Sequence, residues 1–192
     1  MIVLGIDPGS RIAGWGMVDV MGSRVKHIDN GSLYCESEGP FAERLKYLFN
    51  EVSRLIRHYQ PEVMAVERIF YHKNVASLEK LGEARGVLMA SGAVAGLPVF
   101  EYTALQVKKA VTGHGAAGKD QVQQMVRRLL SLRDVAEENA SDALAVAICH
   151  AHSVRALPAV GHGKSVATVK RSVQSAKASA SRELLKKASF YR

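Results

Sequence analysis

Cysteine is scarce in this chain. Two occur among 192 residues, Cys35 and Cys149, far apart and without a C-x-x-C pair, which excludes a disulfide framework and a zinc knuckle and leaves reduced thiols as the expectation. Long apolar runs are missing too. The longest apolar-biased stretch, "GVLMASGAVAGLPVF", is too short and too rich in small residues to span a bilayer. Residues 1–20 lack a basic segment ahead of an apolar one, so no secretory leader is read there and a soluble, cytoplasmic, non-membrane protein is expected. No internal repeat is evident, and with 47% apolar and 23% charged residues the composition excludes bulk disorder and suits one compact domain with a real core.

Most of the chain also lacks net charge. The formal total is +8, but from Pro158 to Arg192 there are eight Lys/Arg and one Glu, a net of +7, which leaves +1 for everything before. The division expected is therefore a domain over 1–157 and a basic, Ser/Ala/Lys-rich flexible tail over 158–192, helical if anywhere near "SRELLKKASF". Specific recognition of a polyanion by the domain must come from local placement of cations. The tail adds at most a salt-sensitive, non-specific grip on phosphates.

What is present is strong patterning. "IVLGI" reads as a buried strand, and "AGWGMVDV" and "RVKHIDNGSLYC" alternate as two more around the turn "MGS". Phe41, Leu45, Leu48, Phe49, Val52, Leu55, Ile56 and Tyr59 make a helical stripe over 41–59 that ends before Pro61. "EVMAVE" returns as a short strand. A helix over 75–95 carries Gly82, Gly86, Ala90 and Ala93 about a turn apart, a face suited either to a subunit interface or to packing on the sheet. "PVFEYTA" is the fifth strand, followed by a short helix at 106–111, the loop "TGHGAAG", a helix at 119–132 and a last helix at 141–153. Three meandering strands followed by alternating helices and strands specify an α/β fold with a mixed five-stranded sheet flanked by helices on both faces.

Three acids stand at places where such sheets put reactive groups: Asp7 after the first strand, Glu67 after the fourth, and Asp142 at the start of the last helix. Each has an ordinary structural role open to it. Asp7 before Pro-Gly can start a turn, Glu67 can pair with Arg68, and Asp142 can favour a helix N-terminus. If the first and fourth strands are neighbours, the three converge as hard oxygen donors suited to Mg²⁺. Two such ions about 3.5–4 Å apart serve phosphodiester hydrolysis. The "CHAHS" run brings Cys149, His150 and His152 together in sequence but not at the i, i+4 spacing of ligands on one helical face.

Together "LGIDPGSR", "VMAVERIF", "KLGEARGV", "PVFEY", "QVKKAVTGHGAAGKDQVQQMV" and "ENASDALAVAICHAH", in this order over residues 1–155, resemble the RuvC-type Holliday junction resolvases, whose fold is ribonuclease-H-like. The resemblance implies a structure-selective endonuclease that makes paired, symmetric nicks in four-way DNA junctions during recombination and repair. It implies two Mg²⁺ per subunit with Mn²⁺ as a substitute, a homodimer joined through the 75–95 helix, a short T-containing cleavage sequence, and cooperation with the RuvA/RuvB branch-migration complex. It makes Asp7, Glu67 and Asp142 metal ligands, and it places a fourth ligand, usually an acid or a His, where this chain has Asn139. A neutral amide oxygen still ligates Mg²⁺ but brings no charge and cannot act as a base. Asn is also a favoured N-cap.

The same resemblance makes Phe70 the base-stacking aromatic, with Tyr71 assisting, and puts Lys108 and Lys119 near the DNA beside the catalytic acids. Arg68, His72, Lys73, Arg85 and Lys109 are further cations placed to meet phosphates. Two rival classes stand beside a nuclease. One is a catalytically disarmed junction-binding protein, favoured by Asn139. The other is an actin- or sugar-kinase-like ATPase, suggested by "GIDPGS" and by the G-x-x-x-x-G-K match at Gly113–Lys119. The P-loop reading fails on Asp120, which stands where Ser or Thr must coordinate Mg²⁺, and on the helical pattern that precedes the loop.

Overall fold

The computed structural model describes residues 1–35, 39–69 and 74–156, and Met1–Ala156 form one compact unit. Phe70, Tyr71, His72, Lys73 and the tail lie outside the described residues. Five strands and five helices follow in the order β1 (Ile2–Asp7), β2 (Ile12–Met21), β3 (Arg24–Tyr34), α1 (Phe41–Tyr59), β4 (Val63–Glu67), α2 (Val75–Val94), β5 (Val99–Tyr102), α3 (Ala104–Thr112), α4 (Lys119–Leu129) and α5 (Glu138–Ala156). The sheet order is β3-β2-β1-β4-β5. β1 pairs antiparallel with β2 and parallel with β4, which in turn runs parallel to β5. The expected mixed sheet covered on both faces is what the chain builds.

Alternation along β1 divides the core. Leu4 and Ile6 face a layer made with Leu48, Val52, Leu55 and Ile56 of α1 and Ala84 and Leu88 of α2. Val3 faces the other layer with Val107 and Val111 of α3, Val122 and Val126 of α4, and Leu144 and Ile148 of α5. This period-2 switch is why a central strand reads as a continuous apolar run. The α5 helix lies against β1 and β2 closely enough that glycine is required beneath it. A Cβ on Gly5 would lie 2.1 Å from the Ala143 carbonyl oxygen, and one on Gly14 would lie 1.9 Å from that of Asn139.

Helix boundaries differ from expectation at α4 and α5, and one of the two uses left open for the α2 face is removed. α5 begins at Glu138, three residues early, and its ladder opens with Ser141 N–H donating to Glu137 O at 2.7 Å. Asn139 is therefore inside the first turn and is not the N-cap. α4 ends at Leu129 rather than at 132, because Ser131 takes a left-handed φ of 52° and Leu130 turns into the core. Of the two uses left open for the small-residue face of α2, packing on the sheet is not what is built: Gly82, Gly86, Ala90 and Ala93 are all exposed, while Ala84, Leu88, Ser91 and Gly92 make the inner face.

Candidate active site

Parallel pairing of Ile6 with Val66 puts the next residues, Asp7 and Glu67, side by side at the carboxyl ends of two neighbouring strands. That adjacency was conditional on strand order, and the order β1-β4 supplies it. Asp142 arrives from the second turn of α5, held over β1 and β2 by the close contacts at Gly5 and Gly14. Tyr34 of β3 donates to the Glu137 carboxylate and ties the entry of α5 to the sheet. One cleft is lined by Glu67, Lys108, Lys119 and Asp142 with Ala104, Val107, Val122 and Ala145. A second, lined by Asp7, Pro8, Glu67, Arg68, Ile69, Leu81 and Ala104, meets it at Glu67 and Ala104.

Electrostatically the three acids behave as one site. Burial pushes the Asp7 carboxyl up to about 8, helped by the negative charges of Glu67 and Asp142 and opposed by Lys119. Glu67 is raised by burial and by Asp142, and Asp142 is raised by burial despite the pull of Lys119. Lys119 is the cation among them, its Nζ 3.0 Å from Asp142 Oδ2 and also in contact with Glu138. Burial works against the ammonium, but Glu138 and Asp142 outweigh it and raise its pKa. The donors are all hard oxygens, and their charge is under-compensated, which fits a divalent cation. Among the described residues no three His, Cys, Asp or Glu side chains stand close enough to share one ion in this arrangement. The acids are coupled through their charge, and Asp142 and Glu138 lean on Lys119.

A model of the family described as crossover junction endodeoxyribonuclease RuvC matches residues 3–150. This chain belongs to the RuvC family. It is 57% identical over 152 residues to the crossover junction endodeoxyribonuclease RuvC of Syntrophotalea carbinolica, covering 79% of this chain and 94% of that one. Its structure matches Thermus thermophilus RuvC in complex with Holliday junction substrate with a TM-score of 0.77 at 34% identity, over 81% of this chain and 95% of the other. The yeast mitochondrial Holliday junction resolvase Ydc2 shares the fold, with a TM-score of 0.55 at 14% identity over 78% of each chain.

The remaining residues singled out in the sequence take varied places. Lys108 lines the acidic cleft, and its charge pulls the pKa values of both Glu67 and Asp142 downward. Arg68 and Lys109 are exposed. Arg85 is turned onto the protein, its Nε donating to the Glu67 carbonyl oxygen at 3.2 Å and its guanidinium paired with Glu101. The loop at 113–118 follows helix α3, so the strand that a P-loop needs before it is not there. His150 is buried and bonded through Nδ1 to the Tyr102 hydroxyl at 2.8 Å, while His152 Nδ1 sits 3.0 Å from the Ala110 carbonyl oxygen. Both are thereby engaged as structural residues. Sequence reasoning missed Glu138. Its spacing to Asp142, i and i+4 on one helical face, was the available signal, but it was masked by starting the helix at 141.

Proposed function

We propose that this chain resolves four-way DNA junctions by paired, symmetric phosphodiester cleavage in the cytoplasm. The observation that carries the reading is the meeting of Asp7, Glu67 and Asp142 at one end of the sheet in a chain matched to the RuvC family over 3–150. Asp7, Glu67 and Asp142 would hold two Mg²⁺ ions, with the Asn139 amide as a neutral fourth donor and Mn²⁺ able to substitute. When bound, such ions supply stabilisation of the charge that develops on the phosphodiester. Lys108 and Lys119 bring positive charge to the same cleft and steady the scissile phosphate. Phe70 and Tyr71 stack on bases unpaired at the junction centre, each stack worth about 1–3 kcal/mol. Arg68 and Lys73 hold neighbouring phosphates.

Symmetric incision needs two sites, and a twofold homodimer supplies them. The exposed face of Gly82, Gly86, Ala90 and Ala93 on α2 supports that assignment, since small residues admit close helix approach. RuvA/RuvB are the partners that the resemblance implies. The basic segment at 158–192 serves as a non-specific phosphate grip. Deleting it is expected to weaken junction binding and reduce the salt slope while leaving preference for four-way over duplex DNA unchanged; an unaltered salt slope refutes a phosphate-binding tail.

Asn139 favours a second reading, a junction-binding protein without turnover. Cleavage of a synthetic four-way junction with a T-rich core, under single-turnover conditions in Mg²⁺, separates the two. The chain and Asn139→Asp are both expected to cut at symmetric positions, the variant about tenfold faster because it adds charge to the ligand set. Cutting by Asn139→Asp alone establishes the disarmed binder. Binding without cutting by both refutes the assignment of the acids.

A further inference from the structure

Arg85 was expected at the DNA, yet its guanidinium is committed to the protein. It leaves α2 one residue before Gly86, its side chain four-fifths covered, and joins two strands. Its Nε donates to the backbone carbonyl of Glu67, the last residue of β4, and its terminal nitrogen pairs with Glu101 of β5. The β4-β5 ladder continues past this point, with Arg68 N–H donating to Tyr102 O at 2.8 Å. The Glu67 peptide is thus held from both sides: the next N–H by β5, and its own carbonyl by Arg85. Without Arg85 this last peptide of β4 would be held by the Tyr102 bond alone, and any tilt about that bond would shift the Glu67 side chain. Arg is suited to the task, because its planar fork fixes two acceptors at once and its charge is permanent.

We infer that Arg85 is a positioning residue for Glu67, acting through the Glu67 carbonyl and braced by Glu101, and that it is not a DNA contact. This rests on the reading of Glu67 as an acid of the nuclease site. It also gives α2 a second occupation, since the helix that exposes the small-residue face reaches through Arg85 to a catalytic strand.

Neutralising the brace distinguishes positioning from DNA contact. If Arg85 positions Glu67, Arg85→Gln and Glu101→Gln act in the same direction, because each releases the same clamp. If Arg85 contacts phosphate, they act in opposite directions, because Glu101→Gln frees a cation for DNA. The test titrates Mn²⁺ into wild type, Arg85→Gln, Glu101→Gln and Glu67→Gln by calorimetry, and measures four-way junction affinity against salt without divalent ions and single-turnover cleavage with Mg²⁺. Both clamp variants are expected to bind Mn²⁺ about tenfold more weakly and to cut about ten- to hundredfold more slowly at saturation, the cost of an ångström-scale misplacement. Junction affinity and salt slope are expected to stay within twofold of wild type. Arg85→Lys is expected to recover part of the Mn²⁺ affinity. The inference is overturned if Arg85→Gln lowers the salt slope by about one while Glu101→Gln strengthens binding, or if neither variant alters Mn²⁺ affinity although Glu67→Gln abolishes it. Unchanged Mn²⁺ binding in Glu67→Gln removes the nuclease-site reading itself, and the positioning role with it.

Discussion

Asp7→Asn is expected to slow junction cleavage about a thousandfold or more while making the metal-free protein more stable. The rate follows from the proposed role of Asp7 as a metal ligand in the acid cluster: losing it would remove several kcal/mol of transition-state charge stabilisation, and each tenfold in rate is about 1.4 kcal/mol. The stability follows from the sign of the Asp7 shift. Its carboxyl is raised from 3.8 to about 8, chiefly by burial and then by Glu67 and Asp142. Between those values the folded protein binds a proton that the unfolded chain does not, so stability falls as pH rises from about 4 to about 8. Glu67 and Asp142 are raised as well and act in the same sense. Thermal unfolding without divalent ions is expected to show a lower Tm at pH 8 than at pH 5, with Asp7→Asn flattening the difference, which corresponds to a change in stability on the order of a few kcal/mol. Added Mg²⁺ should stabilise wild type at pH 8 and leave Asp7→Asn nearly unmoved. A flat Tm profile for wild type, or a variant less stable than wild type at pH 8, contradicts this account of the site.

Gly5→Ala and Gly14→Ala are expected to separate folding from catalysis. At Gly5 a methyl group meets the Ala143 carbonyl oxygen at 2.1 Å and Ala147 Cβ at 2.9 Å, in the middle of α5. Neither neighbour is the end of a flexible side chain, so the helix must lift from β1, and overpacking of this kind costs about 3 kcal/mol. For a domain of this size that lowers Tm by roughly 6–12 °C. At Gly14 the methyl group meets Asn139 O at 1.9 Å, in the first turn of α5, where a helix end shifts more cheaply. The loss of stability should be smaller than at Gly5, but the displaced turn carries Asn139 and, one turn on, Asp142. Cleavage is expected to fall about a hundredfold with junction affinity little changed. Equal losses of rate and stability at both sites contradict the view that α5 is positioned by these two glycines.

The local reading succeeded where one face of an element is covered. The stripe at 41–59 matches α1 residue for residue, with Leu48, Val52, Leu55 and Ile56 buried as their spacing required. It failed at ends. Asn139 looks like an N-cap by residue type, yet the α5 ladder opens on the Glu137 carbonyl and Tyr34 secures that entry from β3, a contact spanning over a hundred residues of chain. The pattern "QVQQMVRRLL" continues helically to its end, but burial of Leu130 and the left-handed Ser131 stop α4 first. Long-range contacts that decide such ends leave no periodic trace.

Resemblance to the RuvC-type resolvases, and not residue pattern, implied a metal ligand where Asn139 stands; residue pattern itself was sufficient for the α/β architecture and for placing Asp7 and Glu67 at strand ends. Periodicity reports which side of an element is covered, and those conclusions need nothing more. Tertiary structure decided that β1 and β4 are neighbours, which alone makes Asp7 and Glu67 a pair. It decided that the α2 glycines face outward, that Lys119 lies against Asp142 and Glu138, and that Arg85 holds Glu67. Each of these depends on which distant segments pack together, a choice made by the summed burial and hydrogen bonding of the whole domain and carried by no short stretch of it.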